Sequence, residues 1–154
     1  MKKILISQME ELAKTKAPSL STLSNLLAAL FWSEEHINWA GLYLRDPKES
    51  GCWLGPFQGK AACFFIPEGK GVISACLEKN KPLLVEDVLT FKGHIACDSA
   101  SRSEAVLPLY TPEGEIFGVL DLDSDQEGFF RPEDLSILIQ IAEMIQTFAL
   151  SLRL

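Results

Sequence analysis

The sequence predicts an α+β fold in which helices flank a mainly antiparallel sheet. Near both ends of the chain, in Ile4–Lys16 and Pro132–Leu152, apolar residues recur at the spacing of a helix. Between these ends, Ile37–Arg45 alternates between two faces as a strand does, and shorter apolar runs separated by turn residues follow it. A length of 154 residues is typical of one domain.

Prolines and capping residues set the expected helix boundaries. Pro18 ends the first helix, and Ser19 or Ser21 can cap the second. Pro132 falls in the first turn of the last helix, where a missing N–H is tolerated. Four helices are expected. The first covers Ile4–Lys16, and the second starts at Ser19 or Ser21 and ends at Phe31. The last two cover Val72–Glu78 and Pro132–Leu152.

The expected strands lie between the second and the last helix. Alternation in Ile37–Arg45 places Trp39 and Tyr43 on one face, and Ala40 and Leu42 on the other. Turn residues bound the later strands, and the last two form a hairpin. These later strands are expected at Cys52–Phe57, Ala61–Ile66, Pro82–Val85, Glu104–Tyr110 and Ile116–Asp123.

Composition excludes several classes of partner. The net charge of −7 leaves no basic stripe for nucleic acid or for an anionic membrane surface. Charged residues interrupt the apolar runs, so no membrane span is expected. The N-terminus starts with lysines but turns acidic before an apolar core develops, which predicts a cytoplasmic protein.

The four cysteines do not form a metal-binding pattern. Cys52, Cys63, Cys76 and Cys97 include no CxxC pair, and only two histidines could assist them. This spacing argues against a structural zinc site, and no bound metal is expected. In a reducing compartment, buried and inert thiols are the default interpretation, above all for Cys52 and Cys76.

One loop and one strand carry the chemistry. The loop GHIACDSASRSE, Gly93–Glu104, places Cys97 among acidic and small polar residues. In the run LDLD, Asp121 and Asp123 are two residues apart and so share one face of a strand. A thiol beside several acids suggests chemistry on a small molecule with a positive charge. The alternative is a solvated strand face, which the residue pattern alone favours.

The order of the motifs INWAGLYL, LGPFQGKAAC, IPEGKGV, GHIACDSASRSE and GVLDLDS closely resembles the free methionine-(R)-sulfoxide reductases. The resemblance runs from about Ile37 to Ser124. It implies a single GAF domain over residues 1–154, built as a sandwich of helices around a mainly antiparallel sheet. It also implies reduction of the R sulfoxide of free methionine, with no action on the peptide-bound residue.

The resemblance also implies roles for individual residues. Cys97 is the nucleophile and Cys63 the partner cysteine, with no bound cofactor and with thioredoxin, which depends on NADPH, as external reductant. Homodimers are common in the family, and the terminal helices could pair across subunits or pack on the sheet instead. The substrate-binding residues implied are Glu104, Asp121, Asp123, Trp39 and Tyr43.

Sulfoxide reduction needs a thiolate to attack sulfur and an acid to protonate the oxygen. Clustered carboxylates cannot all stay ionised, so one could supply the proton, although the sequence does not say which. Arg102 or the substrate ammonium could favour the thiolate. His94 is a base or a structural loop residue, and backbone N–H groups of Ile95–Asp98 could hold the substrate carboxylate.

Ile73 departs from the family pattern, because many members carry a cysteine there. The departure leaves the regeneration route open between Cys63 and Cys76. It also leaves two other readings of the chain: a reductase that cannot recycle, and a GAF module that binds a small ligand or senses redox state without turnover.

Overall fold

The computed structural model describes residues 3–94 and 98–154. Six strands form one antiparallel sheet in that part of the chain. They are β1 Ile37–Arg45, β2 Gly51–Gly59, β3 Phe65–Pro67, β4 Leu83–Val85, β5 Ser103–Tyr110 and β6 Ile116–Ser124. Their order across the sheet is β3-β2-β1-β6-β5-β4, so β1 and β6 lie at its centre and β3 at one edge.

Within the described residues, four α-helices surround the sheet, and the predicted α+β class is confirmed. They are α1 Lys3–Lys14, α2 Ser19–Trp32, α3 Gly71–Lys79 and α4 Leu135–Ala149. Short 3-10 turns, Pro132–Asp134 and Leu150–Leu152, extend α4 at both ends. The expected helix over Pro132–Leu152 is therefore one helical segment with tightened first and last turns.

Two strands differ from the sequence expectation by more than one residue at an end. The predicted strand Ala61–Ile66 is reduced to β3, while β2 continues to Gly59 through an expected turn. Side chains of β1 explain the difference, because Trp39 and Tyr43 bond the backbone of residues 60–63 in place of a strand ladder. These four residues are called the 60–63 segment below, and the first three of them line a pocket.

One segment contradicts the expectation that no run could span a membrane. Pro132–Leu152 is long and apolar enough by length and composition, with Glu143 the one charged residue in 135–152. In the fold, however, this segment contributes a buried stripe to the main hydrophobic core. The stripe consists of Leu138, Ile141, Ala142, Ile145 and Ala149. Packing of this stripe in the core thus accounts for part of the segment's apolar character.

The sheet separates two cores, as the alternation in β1 predicts. Ala40 and Leu42 pack with α2 and α4, and α1 covers these helices. Trp39 and Tyr43 lie on the opposite face with α3. This second face carries the smaller cluster, which leaves room there for a pocket.

Strand register brings three acidic side chains onto that second face. Asp123 pairs with Trp39 of β1, and Asp121 pairs with Gly41. On the other side of β6, Glu104 pairs with Asp123. Directly paired residues share a face, so the acids of β5 and β6 lie beside the aromatics of β1.

Candidate active site

A pocket lies between α3 and the second face of the sheet. Its walls differ in chemistry. Trp39 and Tyr43 form an aromatic wall, and the 60–63 segment contributes Lys60, Ala61 and Ala62. The apolar side includes Ile66, Val72 and Ile73, and the polar side His94, Asp98, Ser101, Glu104, Asp121 and Asp123.

Glu104, Asp121 and Asp123 form a compact acid cluster in this pocket. One carboxylate oxygen from each lies within 4.8 Å of the others. Glu104 is 6% exposed and Asp121 5%, while Asp123 is half-buried. The alternative of a solvated strand face is therefore wrong, because neighbouring strands and α3 cover this part of β6.

Burial raises the pKa of each member of the acid cluster. For Glu104, desolvation is the main cause, the charge of Asp123 adds to it, and the pKa reaches about 8. Desolvation and the charge of Glu104 also raise the pKa of Asp121 well above its usual value. Desolvation and the charge of Asp121 raise the pKa of Asp123 in the same way. The cluster therefore holds protons near neutral pH.

A side-chain hydrogen bond joins Glu104 and Asp121, and it requires a proton between the two carboxyl groups. Oδ1 of Asp121 is buried and has no hydrogen-bond partner among the described residues. Buried polar atoms are usually satisfied. This acceptor therefore marks a place where a donor on a bound molecule would fit.

The same three carboxyl groups are the described residues that could hold a metal ion. Oxygen donors of this kind suit a hard cation such as Mg²⁺. A metal ion would have to displace the proton that Glu104 and Asp121 share. The cluster therefore suits a ligand that donates hydrogen bonds as well as it suits a metal ion. The expectation of no bound metal stays a prediction.

The aromatic wall is a stack of three rings. Trp39 lies 5.8 Å from Tyr43 and 5.3 Å from Phe57 between ring centroids, with interplanar angles of 25° and 16°. Gly41 makes this stack possible, since a Cβ there would lie 2.6 Å from Cη2 of Trp39 and 2.3 Å from Cβ of Phe57. Sequence reasoning did not single out Phe57, which fell at the expected end of a strand.

Two hydrogen bonds fix the 60–63 segment to this wall. Nε1 of Trp39 donates to the carbonyl oxygen of Lys60 at 3.1 Å. The hydroxyl of Tyr43 donates to the carbonyl oxygen of Cys63 at 2.9 Å. Desolvation, followed by the nearby acids, raises the pKa of Tyr43, so this hydroxyl remains a donor. Cys63 itself is half-buried and disulfide-bonded.

The predicted nucleophile, Cys97, lies outside the described residues, as do Ile95 and Ala96 of the expected carboxylate-binding loop. His94 and Asp98, which flank them, line the pocket. Burial lowers the pKa of His94, which favours its neutral form. Asp98 accepts hydrogen bonds from Nδ2 of Asn38 at 3.3 Å and from the backbone N–H of Ala100 at 2.9 Å.

The remaining cysteines have the environment of inert thiols. Cys52 and Cys76 are free and buried, and burial raises the pKa of each to about 12. The Cys76 thiol donates to the carbonyl oxygen of Lys81 at 3.3 Å and faces that of Val106 at 3.7 Å. These contacts turn it toward the backbone of its neighbours.

Arg102 does not fold back over the pocket. Its Nη2 pairs with Oε2 of Glu127 at 3.0 Å and lies 3.7 Å from Oδ1 of Asp87. Two carboxylates outside the pocket lining already hold its guanidinium, which argues against the idea that Arg102 favours a thiolate. The sequence could not show this, since Glu127 comes 25 residues later.

Comparisons with known proteins place this chain in a family. Residues 11–147 match the GAF domain family, so the chain is a GAF domain protein. It is 46% identical to the free methionine-R-sulfoxide reductase of Escherichia coli over 127 residues, which are 82% of this chain and 75% of that protein. The chain therefore belongs to the free methionine-R-sulfoxide reductase family, a family of oxidoreductases.

Two further relatives agree. The free methionine-R-sulfoxide reductase of Saccharomyces cerevisiae is 40% identical over 130 residues, covering 82% of this chain and 72% of that protein. The X-ray structure of the free methionine-R-sulfoxide reductase from Neisseria meningitidis, in complex with its substrate, superposes with a TM-score of 0.86 at 35% identity. That alignment covers 94% of this chain and 85% of the other.

Proposed function

We propose that this protein reduces free L-methionine-(R)-sulfoxide to methionine by thiol chemistry. One observation carries the proposal: a buried acid cluster faces an aromatic wall in the pocket to which the Cys63 segment is bonded. The relatives named free methionine-R-sulfoxide reductase support the substrate.

The acid cluster binds the ammonium group and polarises the sulfoxide. An ammonium offers three donors, and Oδ1 of Asp121 is an acceptor without a partner among the described residues. A peptide-bound methionine sulfoxide has no ammonium, so it would leave buried carboxyl groups unpaired. Selectivity for the free amino acid follows from this mismatch.

The aromatic wall binds the side chain of the substrate. The Trp39 ring stacks with the rings of Phe57 and Tyr43, which fix its orientation. It offers an apolar surface for the methyl group of the substrate. Ile66 and Ile73 provide aliphatic contacts in the same pocket. A rigid wall opposite fixed acids distinguishes the two sulfoxide epimers, because only one directs its oxygen toward the cluster when sulfur faces the thiol.

In the reduction step, the Cys97 thiolate attacks the sulfoxide sulfur while a protonated member of the acid cluster gives its proton to the oxygen. The oxygen is transferred to Cys97 as a sulfenic acid, and methionine leaves. The pKa values of Glu104 and Asp121 are both raised by burial, so we favour these two residues as the donors. The substrate ammonium helps to stabilise the thiolate in place of Arg102.

Regeneration uses Cys63. Its thiol condenses with the sulfenic acid of Cys97, releases water and forms a disulfide. Thioredoxin then reduces this disulfide with electrons from NADPH, and no cofactor stays bound. The disulfide-bonded state of Cys63 and the burial of Cys76 support Cys63 as the resolving residue. On this route Ile73 does not prevent recycling.

A cytoplasmic location and a homodimer complete the proposal. Thiol recycling requires a reducing compartment. Apolar side chains of α1 and α4 remain exposed, including Ile4 at 64% and Ile139 at 36%, and they could meet across two subunits. Sedimentation of the purified protein would report the oligomeric state, and a monomer at micromolar concentration would count against the dimer.

The test is NADPH consumption with thioredoxin and thioredoxin reductase on three substrates: free L-methionine-(R)-sulfoxide, the S epimer, and the N-acetylated R form. We expect turnover of the free R form alone, and none in Cys97→Ser. Methionine release limited to one equivalent would indicate a reductase that cannot recycle. No release from any substrate would favour a GAF module that only binds a ligand.

A further inference from the structure

Phe64 is an exposed aromatic residue directly beside the disulfide-bonded Cys63. Its side chain is 78% exposed, as much as any large apolar residue of the described chain. The neighbouring aromatic residues, in contrast, have partners. The ring centroids of Trp53 and Phe65 lie 4.8 Å apart, and Nε1 of Trp53 donates a hydrogen bond to Asp46 at 2.8 Å. Phe64 has no ring contact with the described residues and belongs to neither hydrophobic core.

The backbone around Phe64 is fixed, so its exposure is a property of the fold. Its carbonyl oxygen accepts a 2.8 Å hydrogen bond from the N–H of Leu54 in β2. The carbonyl oxygen of Cys63, one residue earlier, accepts from Tyr43. Hydrogen bonds thus hold the backbone of Phe64 in place. The residue precedes the edge strand β3, and no further strand of the described sheet lies beyond β3. Rigid exposed aromatics are typical anchors of protein interfaces.

We propose that Phe64 is the docking anchor for the protein dithiol that reduces the Cys63 disulfide. The inference rests on the proposed function, which requires an external dithiol at this position. Exchange needs a thiolate to approach a disulfide sulfur directly. Cys63 is only half-buried, and a partner that reaches its sulfur must cover the adjacent Phe64. Burial of that ring would stabilise the complex.

The chemical step is ordinary thiol–disulfide exchange at Cys63. A thiolate of the reductant attacks Sγ of Cys63, and the sulfur bonded to it leaves as a thiolate that takes up a proton. The second thiol of the reductant then attacks the mixed disulfide and releases Cys63. The reductant is oxidised to its own disulfide, and two electrons and two protons reach the protein.

Steady-state kinetics with two reductants tests the anchor. Phe64→Ser should raise the KM for thioredoxin roughly ten- to thirtyfold, the range expected for loss of an interface hot spot. The KM for methionine sulfoxide and turnover driven by dithiothreitol should stay unchanged, because a small dithiol needs no docking surface. Trp32→Ser is the matched control, since Trp32 is also 78% exposed but ends α2. It should leave the KM for thioredoxin unchanged.

Two results would overturn the proposal: an unchanged KM for thioredoxin in Phe64→Ser, or an equal loss of turnover with both reductants. Trapping keeps the test independent of activity. A thioredoxin variant without its second cysteine should form a mixed disulfide with the oxidised protein, more slowly for Phe64→Ser than for Trp32→Ser. Equal trapping rates would reject the anchor. Absence of methionine release from the wild type would instead reject the proposed function.

Discussion

The hydroxyl of Tyr43 donates a 2.9 Å hydrogen bond to the backbone carbonyl oxygen of Cys63. Tyr43 lies in the central strand β1, and Cys63 in the segment that leads to the edge strand β3. This bond, with the one from Trp39 to Lys60, joins the wall of the pocket to the redox segment. On the proposed function, these two bonds would therefore link substrate binding to the position of Cys63.

Tyr43→Phe should loosen this link. We expect the free energy of unfolding to fall by about 1 kcal/mol, because the carbonyl oxygen of Cys63 loses its donor. Disulfide formation after oxidation by substrate should slow as well, which quenched-flow peptide mapping would measure. Tyr110→Phe is the control, since the Tyr110 hydroxyl donates to Oδ1 of Asn80 at 2.9 Å on an exposed surface. Equal disulfide rates in both variants would contradict the link.

Gly41→Ala should disrupt the aromatic wall. The added Cβ would overlap Phe57 and the Trp39 ring, so we expect a loss of about 1–3 kcal/mol in stability and a raised KM for substrate. Gly114→Ala is the control: its φ of +85° makes alanine strained by about 1–2 kcal/mol, but nothing lies within 4 Å of the new Cβ. If both variants keep the wild-type KM, the wall does not position substrate.

The acid cluster predicts that the ligand-free protein loses stability as pH rises. The pKa of Glu104 is raised from 4.5 to about 8 in the folded state, so its stabilising effect is complete below pH 4.5 and is lost as pH rises through 8. Each proton released on unfolding contributes a slope of about 1.4 kcal/mol per pH unit. The raised pKa values of Asp121 and Asp123 act in the same direction.

Urea denaturation between pH 5 and pH 8 would measure this slope. Glu104→Gln should flatten it, because the glutamine cannot titrate and removes a charge from the other two acids. Glu115→Gln, an exposed position in the β5–β6 turn, should keep the wild-type slope. A stability that rises over this pH range in the wild type would show that the cluster is ionised in the fold.

The cysteine variants should separate reduction from recycling. Cys63→Ser is expected to release about one methionine per protein and then stop with thioredoxin, because no disulfide can form. Cys76→Ala is expected to keep turning over, since that thiol is buried with its pKa raised to about 12. Counting methionine against protein would distinguish them. Arrest of Cys76→Ala after a single turnover would transfer the resolving role to Cys76.

The fold was largely predictable because its signals are local. Alternation in β1 assigned Trp39 and Tyr43 to one face and Ala40 and Leu42 to the other, and the two cores confirm it. The limits of β3 were not predictable. The hydroxyl of Tyr43, 20 residues before Cys63, bonds the carbonyl oxygen of Cys63 where a neighbouring strand would otherwise do so. Such long-range hydrogen bonds leave no periodic trace in the sequence.

The candidate site was predictable in residue type more than in environment. Spacing placed Asp121 and Asp123 on one face, yet spacing alone favoured a solvated face, and only strand order shows that Glu104 and the aromatics cover them. Arg102 illustrates the reverse case. Its position in the cysteine loop suggested a role near the thiol, whereas its partners Glu127 and Asp87 come from other parts of the chain.

The division of the sheet into two faces has a consequence for protein engineering. Most of the apolar core lies with α1, α2 and α4, on the side away from the pocket. Substitutions there can raise or lower thermal stability without changing a residue that lines the pocket. Directed evolution of this chain could therefore change thermal stability and the chemistry of the pocket almost independently. The residues that determine each property lie on opposite faces of the sheet.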